Sequence, residues 1–359
     1  MTALTIEELV IPASLDEPQA RGFREMTAVR NEIEAGVIGS LELAMTPEDL
    51  LPRWQDPYSP QHGFIARIDG RIVGRSLVDL TIEEGSRESS LRVEVLGAFR
   101  GRGIGAALYD SAESIATADG RTTLQGEVLS VAAEGESLAS PTGFGALPAN
   151  GLGVRFALAR GFELQQVVRI SRLALPVRLP RLPPAGDYRV VSWENATPDR
   201  WLDDIAVLHA RMSTDAPSAG LDTTEEVWDS ERVRTLDALR ERGSRRTMIA
   251  AVEHMPTRRV IAFSELAVPR DPTLAVHQQD TLVLSEHRGH RLGMLVKLAN
   301  LAALQSRYPG RPSVITYNAE ENRHMLSVNE AIGFVAFGYE GNWQKRLRYG
   351  ARQACPKVG

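Results

Sequence analysis

Arg100-Gly101-Arg102-Gly103-Ile104-Gly105 is the stretch whose reading decides the fold. Ahead of it, Leu91, Val93 and Val95 alternate with Arg92 and Glu94, the period-2 pattern of a strand. Behind it, Ala106 to Ala118 is made almost entirely of helix formers, with Leu108, Ala112 and Ile115 at helical spacing. The glycines therefore sit on a strand-to-helix turn, where the unpaired N–H groups of a helix start can take phosphate oxygens. Two arginines in the same turn add charge complementary to a polyphosphate. A second copy, Arg288-Gly289-His290-Arg291-Leu292-Gly293, follows the strand-like run Thr281 to Leu284.

Outward from the two loops the element order repeats. Residues 4 to 12 read as a strand and Pro18 to Ala35 as an amphipathic helix carrying Phe23, Met26, Val29 and Ile33. A proline-rich loop around Pro52, Pro57 and Pro60 leads to a hairpin turning at Asp69-Gly70. After the first loop and its helix come a strand over Thr122 to Leu129 and a long loop from Ser130 to Asn150. A short helix over Leu152 to Ala159 and an extended run from Leu164 to Leu175 complete this half. Pro176, Pro180, Pro183 and Pro184 mark residues 176–186 as a stiff linker between units 1–175 and 187–359. In the second unit, strand, helices, strand pair, strand, glycine loop, helix, strand, helix and strand follow in the same order. Asn150 precedes Gly161-Phe162, and Asn322 precedes Gly333-Phe334, by the same eleven residues. Shared order and shared landmarks indicate a tandem duplication.

The chain has 359 residues, 43% of them hydrophobic and 24% charged, which suits two globular domains of moderate size. A net charge of −5 argues against a general polyanion binder such as a nucleic-acid protein, so the loop arginines read as site chemistry. Cys355 is the only cysteine, which excludes an intrachain disulfide and a cysteine metal cluster. No apolar run reaches the roughly 18 residues that span a membrane, and Met1 to Ala20 lacks a signal-peptide pattern. A cytoplasmic monomer or homodimer is expected.

With both loops, their strands and helices, and both Asn to Gly-Phe spacings in place, the chain resembles the GNAT acetyltransferase superfamily, twice over. That family's loop reads Arg/Gln-x-x-Gly-x-Gly/Ala. Arg100, Gly103 and Gly105 match it; Arg288 and Gly293 match in the second copy, where Arg291 replaces the middle glycine. The resemblance implies an α/β architecture of two tandem GNAT folds, each a central mixed sheet flanked by helices. It implies acetyl-CoA as donor and no metal, with an amine on a small molecule or peptide attacking the thioester directly. The cofactor positions it implies are Val95, Leu96 and Arg100 to Ala106 in the first copy. In the second they are Leu282, Val283, Leu284, Arg288, Gly289, His290, Arg291, Leu292 and Gly293. Asn318 and Asn322 are further candidates, Asn322 as a cofactor contact and Asn318 as a helix cap.

The chemistry needs a base for the incoming ammonium, donors for the oxyanion and an acid for the leaving thiolate. Glu94, on the strand before the first loop, is a candidate base, with an ion pair to Arg92 or another neighbour as the competing reading. Asp280, the counterpart of Arg92 in the second copy, could be a base or an amine anchor, with a strand-end cap as the competing reading. The family's acid, a tyrosine seven residues after the asparagine, is replaced by Ala157 and Asn329, leaving Tyr317, water or no acid at all for that role. The missing tyrosines also admit a non-catalytic acyl-CoA-binding or sensing protein.

Overall fold

A computed structural model describes residues 4–132, 134–182 and 186–347. Pro183 and Pro184 of the expected linker, and Cys355, lie outside the described residues.

The first half opens with β1 (Leu4–Glu8) and α1 (Ala20–Ile38), which ends on Gly39 in the left-handed region. α2 (Pro47–Trp54) follows, where the prolines had suggested a loop. Its cause is local. Thr46 and Asp49 form a capping box and Pro47 occupies the first turn, so the helix starts firmly enough to carry Pro52 within it. β2 (Gln61–Ile68) and β3 (Arg71–Asp79) are joined by Asp69-Gly70, both at positive φ, as a two-residue hairpin requires. β4 (Glu88–Val95), α3 (Ile104–Ala118) and β5 (Thr123–Ser130) frame the first glycine loop. The expected long loop from Ser130 to Asn150 holds a small hairpin, β6 (Ser137–Ala139) and β7 (Ala146–Pro148), which buries Leu147 completely. α4 (Leu152–Ala159) and β8 (Glu163–Ala174) close this half.

The second half repeats the pattern with β9 (Tyr188–Glu194), α5 (Leu202–Asp215), α6 (Ser230–Arg242), β10 (Arg246–His254), β11 (Arg259–Val268) and β12 (Val276–Val283). α7 (Leu292–Arg307), β13 (Ser313–Ala319), α8 (Arg323–Ile332) and β14 (Val335–Arg346) complete it.

The two halves share one twelve-stranded mixed sheet, ordered β1-β2-β3-β4-β5-β14-β8-β13-β12-β11-β10-β9. Its centre is an exchange. β14, last strand of the second half, runs antiparallel between β5 and β8 of the first, while β8 runs antiparallel to β13 of the second. Val168 and Glu340, each seven residues after the glycine of its Gly-Phe pair, face each other across the β8–β14 ladder. The two copies thus meet around a local dyad. The exchange extends to the core: Trp343 of β14 is fully buried among Tyr109, Phe162 and Leu164 of the first half.

Each half also has a place where its sheet opens. β4 and β5 pair in parallel only over Glu88–Leu91 with Thr123–Gly126, then diverge. β12 and β13 pair only over Val276–His277 with Val314–Ile315. The glycine loops follow directly after these openings.

Candidate active site at the junction of the halves

The first loop enters α3 through Gly103, at φ 80°, where a residue with a side chain is strained. Ala107 N–H is the first to find a helix partner, donating to Gly103 O; the amides of Ile104, Gly105 and Ala106, in the first turn, have none within the helix. A Cβ on Gly105 would meet Phe156 at 3.6 Å and Val95 at 3.7 Å, ordinary contacts. Arg100 donates its Nε to Val95 O at 2.9 Å, and its terminal nitrogens have no hydrogen-bond partner among the described residues. In β4, Leu96 N–H is already spent on Val73 O of β3. By the alternation of an antiparallel ladder, the amides of Val93 and Val95 point the other way, into the opening. Val95 N–H is therefore the available donor on this strand and Leu96 N–H is not.

A cavity of about 1250 Å³ starts at this loop, follows the β4/β5 opening and ends at the junction of the halves. Arg100, Gly101, Gly103, Ile104, Gly105, Ala106 and Val95 line one end. Arg30, Glu34, Arg92, Glu94, Tyr317 and Glu340 line the other. Tyr317 and Glu340 reach it because β13 and β14 belong to the second half but sit beside β8 and β5.

At that end the charges are closely arranged. Glu34 Oε1 meets Arg30 at 2.7 Å, while its buried Oε2 has no partner. Glu94 is bound by Arg75 Nε at 2.5 Å. Arg92 pairs with Glu127 and stands 3.9 Å from both Glu34 and Glu340. Burial pushes the Glu94 carboxyl up, but Arg75, Arg92 and Arg30 outweigh it and hold that carboxyl below its ordinary value. Burial raises the carboxyls of Glu34 and Glu340, with Arg30 and Arg92 respectively opposing and Glu94 adding to the rise. Tyr317 is held above its usual value by burial and by Glu340 and Glu34, so its phenol stays protonated. Glu94 is accordingly an ion-pair partner, the plainer of its two sequence readings. Glu34 and Glu340 were not singled out from sequence. Glu34 had a signal: with Arg30 it forms an i, i+4 charged pair on the apolar face of α1.

The second loop has the same backbone and different surroundings. Arg291 takes the left-handed conformation of Gly103, at φ 58°. Arg288 donates Nε to Val283 O, as Arg100 does to Val95 O, but its Nη2 donates to Asp215 at 2.7 Å. Leu284 N–H is spent on Ile261 O. None of Leu282, Val283, Leu284, Arg288, Gly289, His290, Arg291, Leu292 and Gly293 lines the large cavity. Asp280, on β12, is likewise outside it and stands 3.9 Å from His209 of α5. His209, stacked on Trp228 at 4.5 Å, is lowered by burial to about 4 and is neutral at pH 7. Asp280 keeps 40% exposure, yet surrounding protein and Glu265 raise it to about 6. Asn322 is the N-cap of α8, accepting from Met325 N–H at 3.2 Å, and Asn318 accepts from Asn329. The capping role therefore falls to Asn322, the reverse of the expected assignment, and both line the first half's cavity.

Residues 34–130 match the model of the acetyltransferase (GNAT) family. The chain also matches, over 97% of its length and 100% of the other's, a tandem GNAT protein from the clavulanic acid biosynthesis pathway solved without AcCoA, with TM-score 0.73 and 23% identity. The chain is two GNAT folds in tandem. A GCN5-related N-acetyltransferase from Sphaerobacter thermophilus is similar over 97% of this chain and 96% of its own, with TM-score 0.61 and 14% identity. A putative acetyltransferase from Pyrococcus horikoshii is similar over 96% and 90%, with TM-score 0.55 and 13% identity. No curated protein matches the chain in sequence. The family match falls on the first GNAT fold, the one whose loop opens into the cavity. At the GNAT tyrosine positions stand Ala157, which lines that cavity, and Asn329, fully buried and bonded to Asn318. Among the described residues no helix is long and apolar enough to cross a membrane, and no group of three or more His, Cys, Asp and Glu could hold a metal.

Proposed function

We propose that the first GNAT fold binds acetyl-CoA and transfers its acetyl group to a primary amine of a small molecule or peptide, the second fold completing the acceptor site. The observation that carries this is the continuous cavity from the unpaired amides of Ile104, Gly105 and Ala106 to the carboxylates of Glu34 and Glu340. Loop amides and Arg100 suit the pyrophosphate. Val95 N–H, directed into the opening, suits the oxyanion that forms when the amine attacks the thioester carbonyl. The amine must lose a proton before or as the N–C bond forms. Glu340 suits that role: no hydrogen bond occupies it among the described residues, and its raised carboxyl brings it nearer to neutral pH. As the C–S bond breaks, the thiolate needs a proton; Tyr317, at the same end of the cavity and protonated, is the candidate on this chain.

Gly105→Glu places a carboxylate and bulk where phosphate oxygens would sit, and should abolish acetyl-CoA binding measured by calorimetry. Gly293→Glu should leave it intact. Equal affinity in both variants and the parent protein would sink the reading.

The absence of tyrosine at Ala157 favours a second reading, a GNAT fold that binds acyl-CoA without turnover. Thiol release over a panel of amines separates the two, since a pure binder gives calorimetric heat and no free thiol.

A further inference from the structure

All the guanidiniums around the acceptor end are already matched. Arg30 is held by Glu34, by Asn31 Oδ1 and by Leu43 O; Arg75 by Glu94; Arg92 by Glu127. Among the described residues no cation there is left over to take a substrate carboxylate. Anionic capacity, by contrast, is in excess: Glu34, Glu94, Glu127 and Glu340 stand against Arg30, Arg75 and Arg92. The excess is also aimed. Glu34 is only 8% exposed along its side chain, lines the cavity, and holds Oε2 out of solvent without a donor. An unsatisfied buried carboxylate oxygen costs free energy unless a donor arrives, and an ammonium supplies three. Glu340, contributed by the other fold, lines the same cavity and, like Glu34, stands 3.9 Å from Arg92.

We infer that the acceptor is a cationic primary amine with no carboxylate beside its amino group, its ammonium received by Glu34 Oε2 and Glu340. This rests on the acetyltransfer reading for the site but concerns recognition only. An α-amino acid would bring its own carboxylate against four fixed carboxylates with no unpaired arginine to meet it, and like charges at close range in a buried site are strongly disfavoured.

The test is binding to the full-length protein saturated with coenzyme A, using two matched pairs: 2-phenylethylamine against phenylalanine, and 3-methylbutylamine against leucine. In each pair the amine lacking the carboxylate should bind at least about tenfold more tightly, the scale of one charge-assisted hydrogen bond. Glu34→Gln, which keeps the side-chain volume, should erase the preference while coenzyme A affinity stays unchanged, showing that the fold survives. Glu340→Gln should reduce it. Equal or tighter binding of the amino acids, or no binding of any of the four at millimolar concentration, overturns the inference. If the amines bind selectively but no thiol is released with acetyl-CoA, the catalytic reading fails and the recognition stands.

Discussion

Arg100 and Arg288 each donate Nε to the carbonyl five residues earlier, Val95 and Val283, and each introduces a helix whose entry residue has positive φ. From there the two loops part. Arg100 has no carboxylate partner among the described residues, whereas Arg288 is held by Asp215. Glycine enters α3; arginine enters α7. The opening behind the first loop leads to a cavity reaching the dyad, and the second loop contributes nothing to it. Farther in, Tyr109 of α3 lies six residues beyond Gly103, its hydroxyl engaged by Glu113 and Lys345, and Lys297 lies six beyond Arg291, buried beside Phe334. A duplicated scaffold thus keeps backbone geometry at both loops, while the first borders the cavity and the second, its Arg288 held by Asp215, lies outside it. The second fold's contribution has moved across the dyad, to Tyr317 and Glu340 in the first fold's cavity.

The largest expected effect tests that transfer. Glu340→Gln should lower kcat by roughly two to three orders of magnitude, the usual worth of a general base, with acetyl-CoA affinity unchanged. The sign of the pH dependence follows from the raised carboxyl. The base works when deprotonated, so kcat/KM rises with pH through a pKa above the ordinary Glu range, and in Glu340→Gln that limb disappears. Asp280, raised to about 6, provides the control. A limb near that value that survives in Glu340→Gln and vanishes in Asp280→Asn would place the chemistry in the second fold and break the comparison.

A smaller effect, on stability, probes the interior of the second fold. Lys297 is 2% exposed, makes no hydrogen bond or ion pair among the described residues, and is pushed by burial down to about 7. Its folded pKa lies below the unfolded value of 10.5. Between these limits the unfolded chain holds the proton and the folded chain does not, so stability rises with pH over that window. Below about 7 both states are protonated and the burial penalty is complete. Lys297→Met should therefore stabilise the protein at pH 7 by roughly 2–4 kcal/mol and flatten the climb toward pH 10. Thermal unfolding across that pH range reads both. A destabilised Lys297→Met would show that the lysine meets a partner in the second fold, and that this interior is also built as a site.

Much of this scaffold was legible in the chain because its causes are local. Glycines after an alternating run fix the loops, Asp69-Gly70 fixes a hairpin, and the Asn to Gly-Phe spacing fixes the end of each copy. The small hairpin in residues 130–150 was hidden by its Gly, Ser and Pro content, and α2 by Pro52, whose effect the capping box at Thr46 overcomes. The site was less legible. Glu94 stood out for lying on the strand before the loop, but which charge neutralises it depends on β3, where Arg75 sits. Glu340 lies on a strand whose existence was plain; its position in the first fold's cavity depends on β14 leaving its own half, a long-range pairing that no local pattern encodes. For the same reason the sequence near Asp280 does not tell that it lies outside that cavity.

The smallest expected effect concerns the entry residue of the second loop. Arg291 holds a conformation, φ 58°, that costs a residue with a side chain on the order of 1 kcal/mol and glycine almost nothing. Glycine in turn gives the unfolded chain more freedom, worth about 0.4–1 kcal/mol against folding. The two nearly cancel, so Arg291→Gly should move the unfolding midpoint by no more than about 2 °C. The informative reading is the stoichiometry of acetyl-CoA. With glycine restored, the second loop has the complete Arg-x-x-Gly-x-Gly pattern. If that pattern were sufficient, calorimetry would show a second equivalent bound in Arg291→Gly. The structure leads to the opposite expectation, a single equivalent before and after, because Asp215 still holds Arg288 and the second loop's residues still lie outside the cavity. A second equivalent would mean that one side chain, and not the loop's surroundings, separates the two folds.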